Sequence, residues 1–182
     1  AATPESQGAC VGADALYSVA MGEIAGFGGS VTLSTSGLPT GATESWSVNP
    51  INDPPGSSVL TIGTTGVTAG TYTIDLIGTA GALTHHDNVT LNLSAAKPGA
   101  TALSTPLDGA TGVALTPTFM WSNVANEAGY TIEIATDPDF ATIVHSAALA
   151  ADTTSYSGAM LGSDTVYYWR VWANNACGAE TP

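Results

Sequence analysis

Residues 161–177 constrain the fold of this chain more than any other segment. Large side chains alternate in a period of two along this stretch, which holds two of the four tryptophans and the chain's arginine. Alternation of aromatic and β-branched residues predicts a β-strand. Because Tyr167, Trp169 and Val171 share one side of that strand, we expect them to face a core and the strand to be central in its sheet.

The charge balance excludes several classes of partner. The 182 residues include 2 Lys plus Arg and 15 Asp plus Glu, a formal net charge of −13. Nucleic-acid binding requires clustered basic side chains, so we predict no nucleic-acid partner. The same deficit disfavours anionic membrane surfaces. No stretch approaches the roughly 18 consecutive apolar residues of a spanning helix, and no signal-peptide pattern is present, so we predict no membrane insertion.

Both halves of the chain carry repeated strand patterns and no helical period. Residues 31–34, 70–76 and 89–93 alternate apolar and polar side chains in the first half, and residues 130–134 do so in the second. The pattern predicts an all-β chain of two tandem seven-strand-type β-sandwiches. Lys, Pro and Gly at 97–99 break the pattern and predict a boundary. The expected domains are therefore 1–96 and 97–182.

Motifs in both halves resemble known extracellular modules. The first half contains Ser36-Gly-Leu-Pro-Thr-Gly-Ala42 and Gly70-Thr-Tyr-Thr73 in the order found in bacterial Ig-like domains, which follow secreted reprolysin-like zinc metallopeptidases. The second half contains Pro117-Thr-Phe-Met-Trp121 and Tyr167-Tyr-Trp-Arg-Val171, and is similar to the fibronectin type III-like modules of the same peptidases. The spacing of Leu161, Thr165 and Tyr167 also resembles the tyrosine corner of such sandwiches.

The resemblance implies a non-catalytic accessory module that acts outside the cell, secreted or at the cell surface. Its expected role is that of a spacer that docks a substrate or a surface. We predict no catalytic residues, no metal site and no cofactor, because His-Glu-x-x-His, Gly-x-Ser-x-Gly and phosphate-binding glycine loops are missing from the sequence.

A second interpretation starts from the end of the chain. A fibronectin type III module needs a further strand after residues 167–173, and the sequence ends at Pro182, five residues after Cys177. We therefore expect the second sandwich to lack its last strand. If another chain supplied it, the protein would be a structural or adhesin subunit of an extracellular assembly. We expect a monomer rather than such a strand-exchanged oligomer.

The outward side of the predicted central strand is the candidate binding surface. Tyr168, Arg170 and Trp172 alternate with the inward residues and form an aromatic stripe with a cation. Such a stripe can bind a protein partner or a polysaccharide, which would make the chain a carbohydrate-binding module. The alternative is cross-strand packing against neighbouring strands.

The histidines are weak candidates for a metal site. On one strand His85 and Asp87 point to one side and His86 to the other, so the adjacent histidines cannot share an ion. We interpret them as ordinary strand residues, with Asp87 accepting a hydrogen bond from His85. His145 is expected to be an isolated surface residue.

Asp137 and Asp139 flank a proline in a predicted turn and are candidates for calcium. A calcium ion takes six or more oxygen ligands, and aspartate favours turns for local reasons. We therefore interpret this pair as turn residues.

The two cysteines predict one disulfide, as expected for a secreted chain. In an Ig-like sandwich Cys10 falls near the connection between the first two strands. Cys177 falls in the connection after the central strand of the second domain. In the resembled modules both connections face the domain junction, so we predict a Cys10–Cys177 bridge. The alternative is that Cys177 pairs with a cysteine outside this sequence.

Overall fold

The structure is a computed structural model that describes residues 1–22 and 27–180. The chain divides into two compact units, Ala1–Ala95 and Ala96–Pro182, called domain 1 and domain 2 below. Pro182, at which the second sandwich was expected to be cut, lies outside the described residues. Within the described part of the chain, no helix has the length and apolarity needed to cross a bilayer.

Domain 1 is built from two sheets. Its strands within the described ranges are β1 (Ala2–Thr3), β2 (Ser6–Cys10), β3 (Ala15–Met21), β4 (Ser30–Ser36), β5 (Thr43–Trp46), β6 (Ile51–Asn52), β7 (Gly56–Gly63), β8 (Gly70–Ala80) and β9 (Leu83–Ser94). One sheet has the order β1-β3-β7-β5 and the other β2-β9-β8-β4-β6. Strand β2 runs parallel to β9, whereas the other pairs are antiparallel.

The alternating residues of these strands fill the space between the two sheets. Tyr17 on β3 and Leu60 on β7 meet Ile74 and Leu91 from the opposite sheet, and all four are fully buried. The Tyr17 hydroxyl donates to the carbonyl of Thr90 at 2.9 Å, and burial raises the pKa of this phenol. The core of domain 1 therefore follows the predicted period of two.

Val48 departs from that pattern. In a continuous strand Trp46 and Val48 would share one face, but β5 ends at Trp46 and Val48 is 50% exposed. The Asn49 side chain bonds both the N–H and the carbonyl of Leu33, at 2.9 and 2.8 Å. Those bonds tie the chain to β4 after Trp46 and turn Val48 outward.

Domain 2 is a second two-sheet sandwich. Its strands are β10 (Leu103–Thr105), β11 (Phe119–Trp121), β12 (Gly129–Ala135), β13 (Ile143–Ala150), β14 (Ser155–Tyr156), β15 (Tyr168–Asn175) and β16 (Gly178–Ala179). The sheets have the orders β10-β11-β14 and β13-β12-β15-β16. The division into three and four strands is that of a fibronectin type III-like sandwich. The all-β tandem predicted from the sequence is confirmed. The second sandwich was expected to lack a strand after β15, but the two-residue β16 pairs with the end of β15.

The predicted central strand is β15. Val171 and Ala173 are buried, and Trp169 and Tyr167 pack against the same core. The Trp169 ring meets the edge of Phe119 with 5.1 Å between centroids, so the core of domain 2 joins aromatic side chains from both sheets. The predicted inward face of this strand is therefore confirmed.

The predicted tyrosine corner is present at the start of this strand. The Tyr167 hydroxyl accepts a hydrogen bond from the N–H of Gly162 at 3.0 Å. A Cβ on Gly162 would lie 3.3 Å from that hydroxyl, so a glycine suits the close approach. This bond anchors the connection that leads into β15.

Replacement of Tyr167 by Phe is expected to lower the stability of domain 2 by about 1 kcal/mol, because the Gly162 N–H loses its acceptor. Equilibrium urea unfolding measures the change. Tyr168→Phe removes a hydroxyl from the exposed neighbouring ring, and we expect it to alter stability by less than about 0.5 kcal/mol. Equal losses in the two variants would show that the corner bond does not stabilise the fold.

Candidate functional site

The stripe predicted from the sequence lies on β15, and its cation is held by the neighbouring strand. Arg170 lies directly opposite Glu133 in the β12–β15 pair. Its Nε and Nη2 both donate to Glu133 Oε2, at 2.9 and 2.7 Å. The two side chains are 33% and 15% exposed, so this ion pair is partly shielded from water.

Two aromatic rings enclose the same guanidinium. Arg170 Cζ lies 4.1 Å from the ring centroid of Phe140 and 5.3 Å from that of Trp172. These distances are within the range of cation–π attraction. The charge of Arg170 is thus satisfied by Glu133, Phe140 and Trp172, and Tyr168 extends beyond them with 38% of its surface exposed. The arrangement provides the cross-strand packing that was the alternative to a binding surface.

Glu133 and Phe140 were missed by the sequence analysis. Glu133 occupies an outward position between Ile132 and Ile134, which are fully buried. That alternation signals an outward carboxylate, but the pairing register with Arg170 cannot be read from it. Phe140 lies outside any strand, so no periodicity indicates where its ring packs.

Asp137 shapes the loop that carries Phe140. Its carboxylate accepts the N–H of Ala141 at 2.9 Å and of Thr142 at 2.7 Å. Phe140 has a φ of 55°, a left-handed conformation that is costly for an aromatic residue and is held here by the surrounding turn. The two backbone hydrogen bonds lower the pKa of Asp137. Both carboxylate oxygens thus serve the turn, as expected for the Asp137–Asp139 pair.

Replacement of Asp137 by Ala is expected to release this turn and withdraw the Phe140 ring from Arg170. The Arg170 Nε–H resonance in a ¹H–¹⁵N spectrum should lose its ring-current shift. Asp139→Ala, which keeps both bonds to Asp137, is the matched control and should leave the resonance in place. An unchanged spectrum for the Asp137 variant would contradict the role of the turn.

The same turn gives a pH dependence with a defined sign. The pKa of Asp137 is lowered from the ordinary value of 3.8, so the folded state favours the carboxylate. Its stabilisation is fully present above that ordinary value and is lost as the pH falls through the lower folded value. The amide resonances of Ala141 and Thr142, which donate to this carboxylate, should therefore move in this acidic range.

Residues 85–87 lie at the start of β9 and form two separate contacts. His86 Nδ1 lies 2.8 Å from Asp75 Oδ2 on β8. Asp87 does not accept a bond from His85 as expected; it accepts the N–H of Ala2 at 2.9 Å and that of Asn88 at 2.9 Å. Strand β1 lies beside β9, so the backbone of β1 provides the hydrogen-bond donor for the Asp87 carboxylate.

A cavity of about 480 Å³ lies in domain 1 beside these residues. Most of its lining is apolar, and His85, His86 and Asp87 form part of one wall. The sequence analysis missed it, because residues that line such a space follow the same alternation as core residues. An apolar lining favours an apolar ligand over an ion.

His145 is not the isolated surface residue that was expected. Its Nε2 is hydrogen-bonded to the hydroxyl of Tyr156, and the two rings are 5.4 Å apart. Because His145 is on β13 and Tyr156 on β14, the contact joins the two sheets of domain 2. In the described part of the chain, no group of three His, Cys, Asp or Glu is arranged to hold a metal ion.

The cysteines lie where the strand order placed them. Cys10 is the last residue of β2, and Cys177 follows β15 in the turn before β16. Neither thiol is free, and both residues are disulfide-bonded. Each cysteine is thus part of a disulfide, and the bridge from Cys10 to Cys177 stays a prediction.

Comparisons with known proteins define the fold but not a family. No family model matches the chain, and no curated protein matches it. Among solved structures, the chain resembles the FN1–FN3 domains of chicken CNTN1 at 11% identity and a TM-score of 0.51, covering 97% of this chain and 60% of that one. Domains A168–A170 of titin match at 16% identity and a TM-score of 0.48, with 96% and 57% covered.

An S-layer protein is also among the matches. Domains 4 and 5 of the S-layer protein SbsC match at 24% identity and a TM-score of 0.39, covering 52% of this chain and 50% of that one. The chain therefore spans between half and three fifths of the length of the first structures it matches. At 11% identity, the likeness to the CNTN1 domains supports the sandwich fold alone.

Proposed function

We propose that the chain is a non-catalytic extracellular accessory module that acts as a spacer and docks a surface or a substrate for a larger protein. The observation that carries this proposal is the architecture, in which two sandwiches follow each other in one chain. The bonded state of Cys10 and Cys177 supports an oxidising, extracellular compartment. The ion pair between Arg170 and Glu133 supports a structural role for the stripe rather than a catalytic one.

The association with a secreted zinc peptidase is the finer part of this proposal, and it rests on the motif resemblance. Reading the gene on both sides of this segment tests it directly. We expect an upstream His-Glu-x-x-His motif in a peptidase domain. A different neighbouring domain would contradict the peptidase association. It would not contradict the accessory role, which deletion of the segment tests separately.

Deletion of the segment from the full-length protein tests the accessory role. If the parent is a peptidase, we expect the deletion to slow cleavage of an insoluble protein substrate and to leave cleavage of a soluble peptide unchanged. The control is a variant in which an unrelated sandwich tandem of equal length replaces the segment. Restored activity with that replacement would support a spacer, whereas a persistent loss would support docking. An unchanged rate on the insoluble substrate after deletion would contradict both.

A strand-exchanged assembly is the second candidate, favoured by one observation. Strand β16 pairs only with Asn174 and Asn175, the last two residues of β15. The preceding residues of β15 pair with β12 on one side, and a further strand could be added on the other. Size-exclusion chromatography with light scattering distinguishes the candidates, because a monomer at all concentrations contradicts strand exchange.

Carbohydrate binding remains a prediction based on Tyr168, Arg170 and Trp172. Arg170 lies over the Trp172 ring, so a stacking sugar would compete with this contact. A glycan array with Trp172→Ala as control tests it. Equal signals from the two proteins, or no signal at millimolar sugar, would contradict the prediction.

A further inference from the structure

Strand β13 is an unusual edge strand. It has eight residues, Ile143–Ala150, and pairs with β12 from one end to the other, with a register shift at Val144. The described residues provide no strand on its other side. The other strands that end a sheet in this part of the chain are only two to five residues long. Short edge strands protect proteins against unwanted pairing, and β13 lacks that protection.

The composition of β13 provides no other protection. Its sequence, IVHSAALA, contains no proline, lysine, arginine or carboxylate, the residues that commonly block an open edge. Ile143 and Val144 are 43% and 49% exposed. Ser146 and Ala148, further along the strand, are exposed and small. A partner strand can therefore approach the free N–H and carbonyl groups without meeting a bulky or charged side chain.

The two ends of the strand are acidic. Asp139 lies exposed in the loop before β13, and Asp152 lies exposed just after it. Glu127 Oε1 accepts the N–H of Asp152 at 2.7 Å, which brings a second carboxylate to that end. The two basic side chains are Lys97 and Arg170, and Arg170 is already paired with Glu133. The strand therefore carries no Asp, Glu, Lys or Arg in its middle and has carboxylates at both ends.

We propose that the free edge of β13 binds an extended segment of another protein as an added strand, and that this segment is uncharged in its centre and basic at both ends. Pairing would satisfy the open backbone groups of β13, as in β-augmentation. Basic ends would meet Asp139 at one end and Asp152 at the other. A second copy of this chain fits less well, because it brings its own net charge of −13.

Designed peptides test this proposal on the intact chain. The probe is a peptide of alternating Thr and Val with Lys at each end, and its control carries Asp at each end. In a low-salt ¹H–¹⁵N titration we expect the Lys peptide to bind about tenfold more tightly, with shifts that centre on residues 143–150. The difference should vanish in 1 M salt, where the screening length is about 3 Å. Equal binding of the two peptides, binding elsewhere or no binding would overturn the proposal.

Two variants separate edge binding from loss of fold. Successive N–H groups of a strand point to opposite edges, so one of Ser146→Pro and Ala147→Pro removes a donor from the free edge. The proline variant that removes a free-edge donor should no longer bind the Lys peptide, and its melting temperature should not change. The other proline variant should lose a hydrogen bond to β12 and have a lower melting temperature. Ala148→Lys, at an exposed position, places a blocking residue on the edge strand and should weaken binding of the Lys peptide. Unchanged binding in all three variants would overturn the proposal, as would a concentration-dependent dimer that buries β13.

Discussion

Replacement of both cysteines by serine is expected to destabilise the chain by up to about 4–5 kcal/mol. The loop-entropy model gives this value for a bridge that closes a loop of more than about 100 residues. The bridge between Cys10 and Cys177 that we propose would close such a loop. Urea unfolding of the double variant against the oxidised parent measures the loss, and reduction of the parent should reproduce it.

The single variants decide whether the two cysteines are partners. If Cys10 is bonded to Cys177, either Cys10→Ser or Cys177→Ser removes the whole bridge. Each single variant should then lose nearly as much stability as the double variant, so the losses are not additive. If the stability losses of the two single variants summed to that of the double variant, the pairing of Cys10 with Cys177 would be contradicted. Mass spectrometry of a non-reducing digest should in addition find the peptides of residues 10 and 177 joined.

The bridge also matters for the proposed spacer role. A covalent link between two domains limits how far each can move with respect to the other. We therefore expect reduction to broaden the distribution of sizes measured by small-angle scattering. A spacer whose dimensions do not respond to reduction would have its geometry set by the linker at residues 94–99 alone.

The sequence predicts those parts of the structure that depend on neighbouring residues in the chain. Alternation along residues 167–173 identified the inward face of β15, and the spacing of Leu161 and Tyr167 identified the tyrosine corner. Both signals are local, because side-chain direction in a strand repeats every two residues. The turn at Asp137 is local in the same sense.

Contacts between distant segments could not be predicted in this way. Arg170 meets Glu133 only because β12 and β15 pair in one particular register. His145 meets Tyr156 because β13 and β14 lie in different sheets that face each other. If the pairing of two strands shifted by one residue, each side chain would point to the opposite face of the sheet. The alternation along one strand does not determine which residue of the other strand it pairs with. The stripe that contains Arg170 could therefore be predicted from the sequence, but its contacts with Glu133 and Phe140 could not.

The free edge at β13 depends partly on local sequence and partly on contacts between distant segments. Its composition is visible in the sequence, but its position at the edge of a sheet depends on the strand order of domain 2. Strand β15 also has eight residues, but it carries Arg170, and there the pairing with β12 and the stack on Arg170 give the outward side an internal role. An edge is recognised only when the whole sheet is known, which is why the sequence analysis did not single out β13.

Replacement of Ile132 by Ala is expected to lower the stability of domain 2 by about 2–5 kcal/mol, because the side chain is fully buried and its removal leaves a cavity. Ile132 lies on β12 between the partner strands β13 and β15, at the centre of the domain 2 core. Leu107→Ala is the matched control in the same domain. Leu107 is 72% exposed, so we expect a change of less than about 0.5 kcal/mol.

The same variant tests whether the two cores fold separately. The core residues of domain 1 and those of domain 2 form separate clusters. Ile132→Ala should therefore lower only one of two calorimetric transitions, by roughly 10–40 °C for a domain of this size. Leu60→Ala, at a fully buried position of domain 1, should lower only the other. If either substitution shifted both transitions equally, the domains would unfold as one cooperative unit, and the spacer would be a single rigid element.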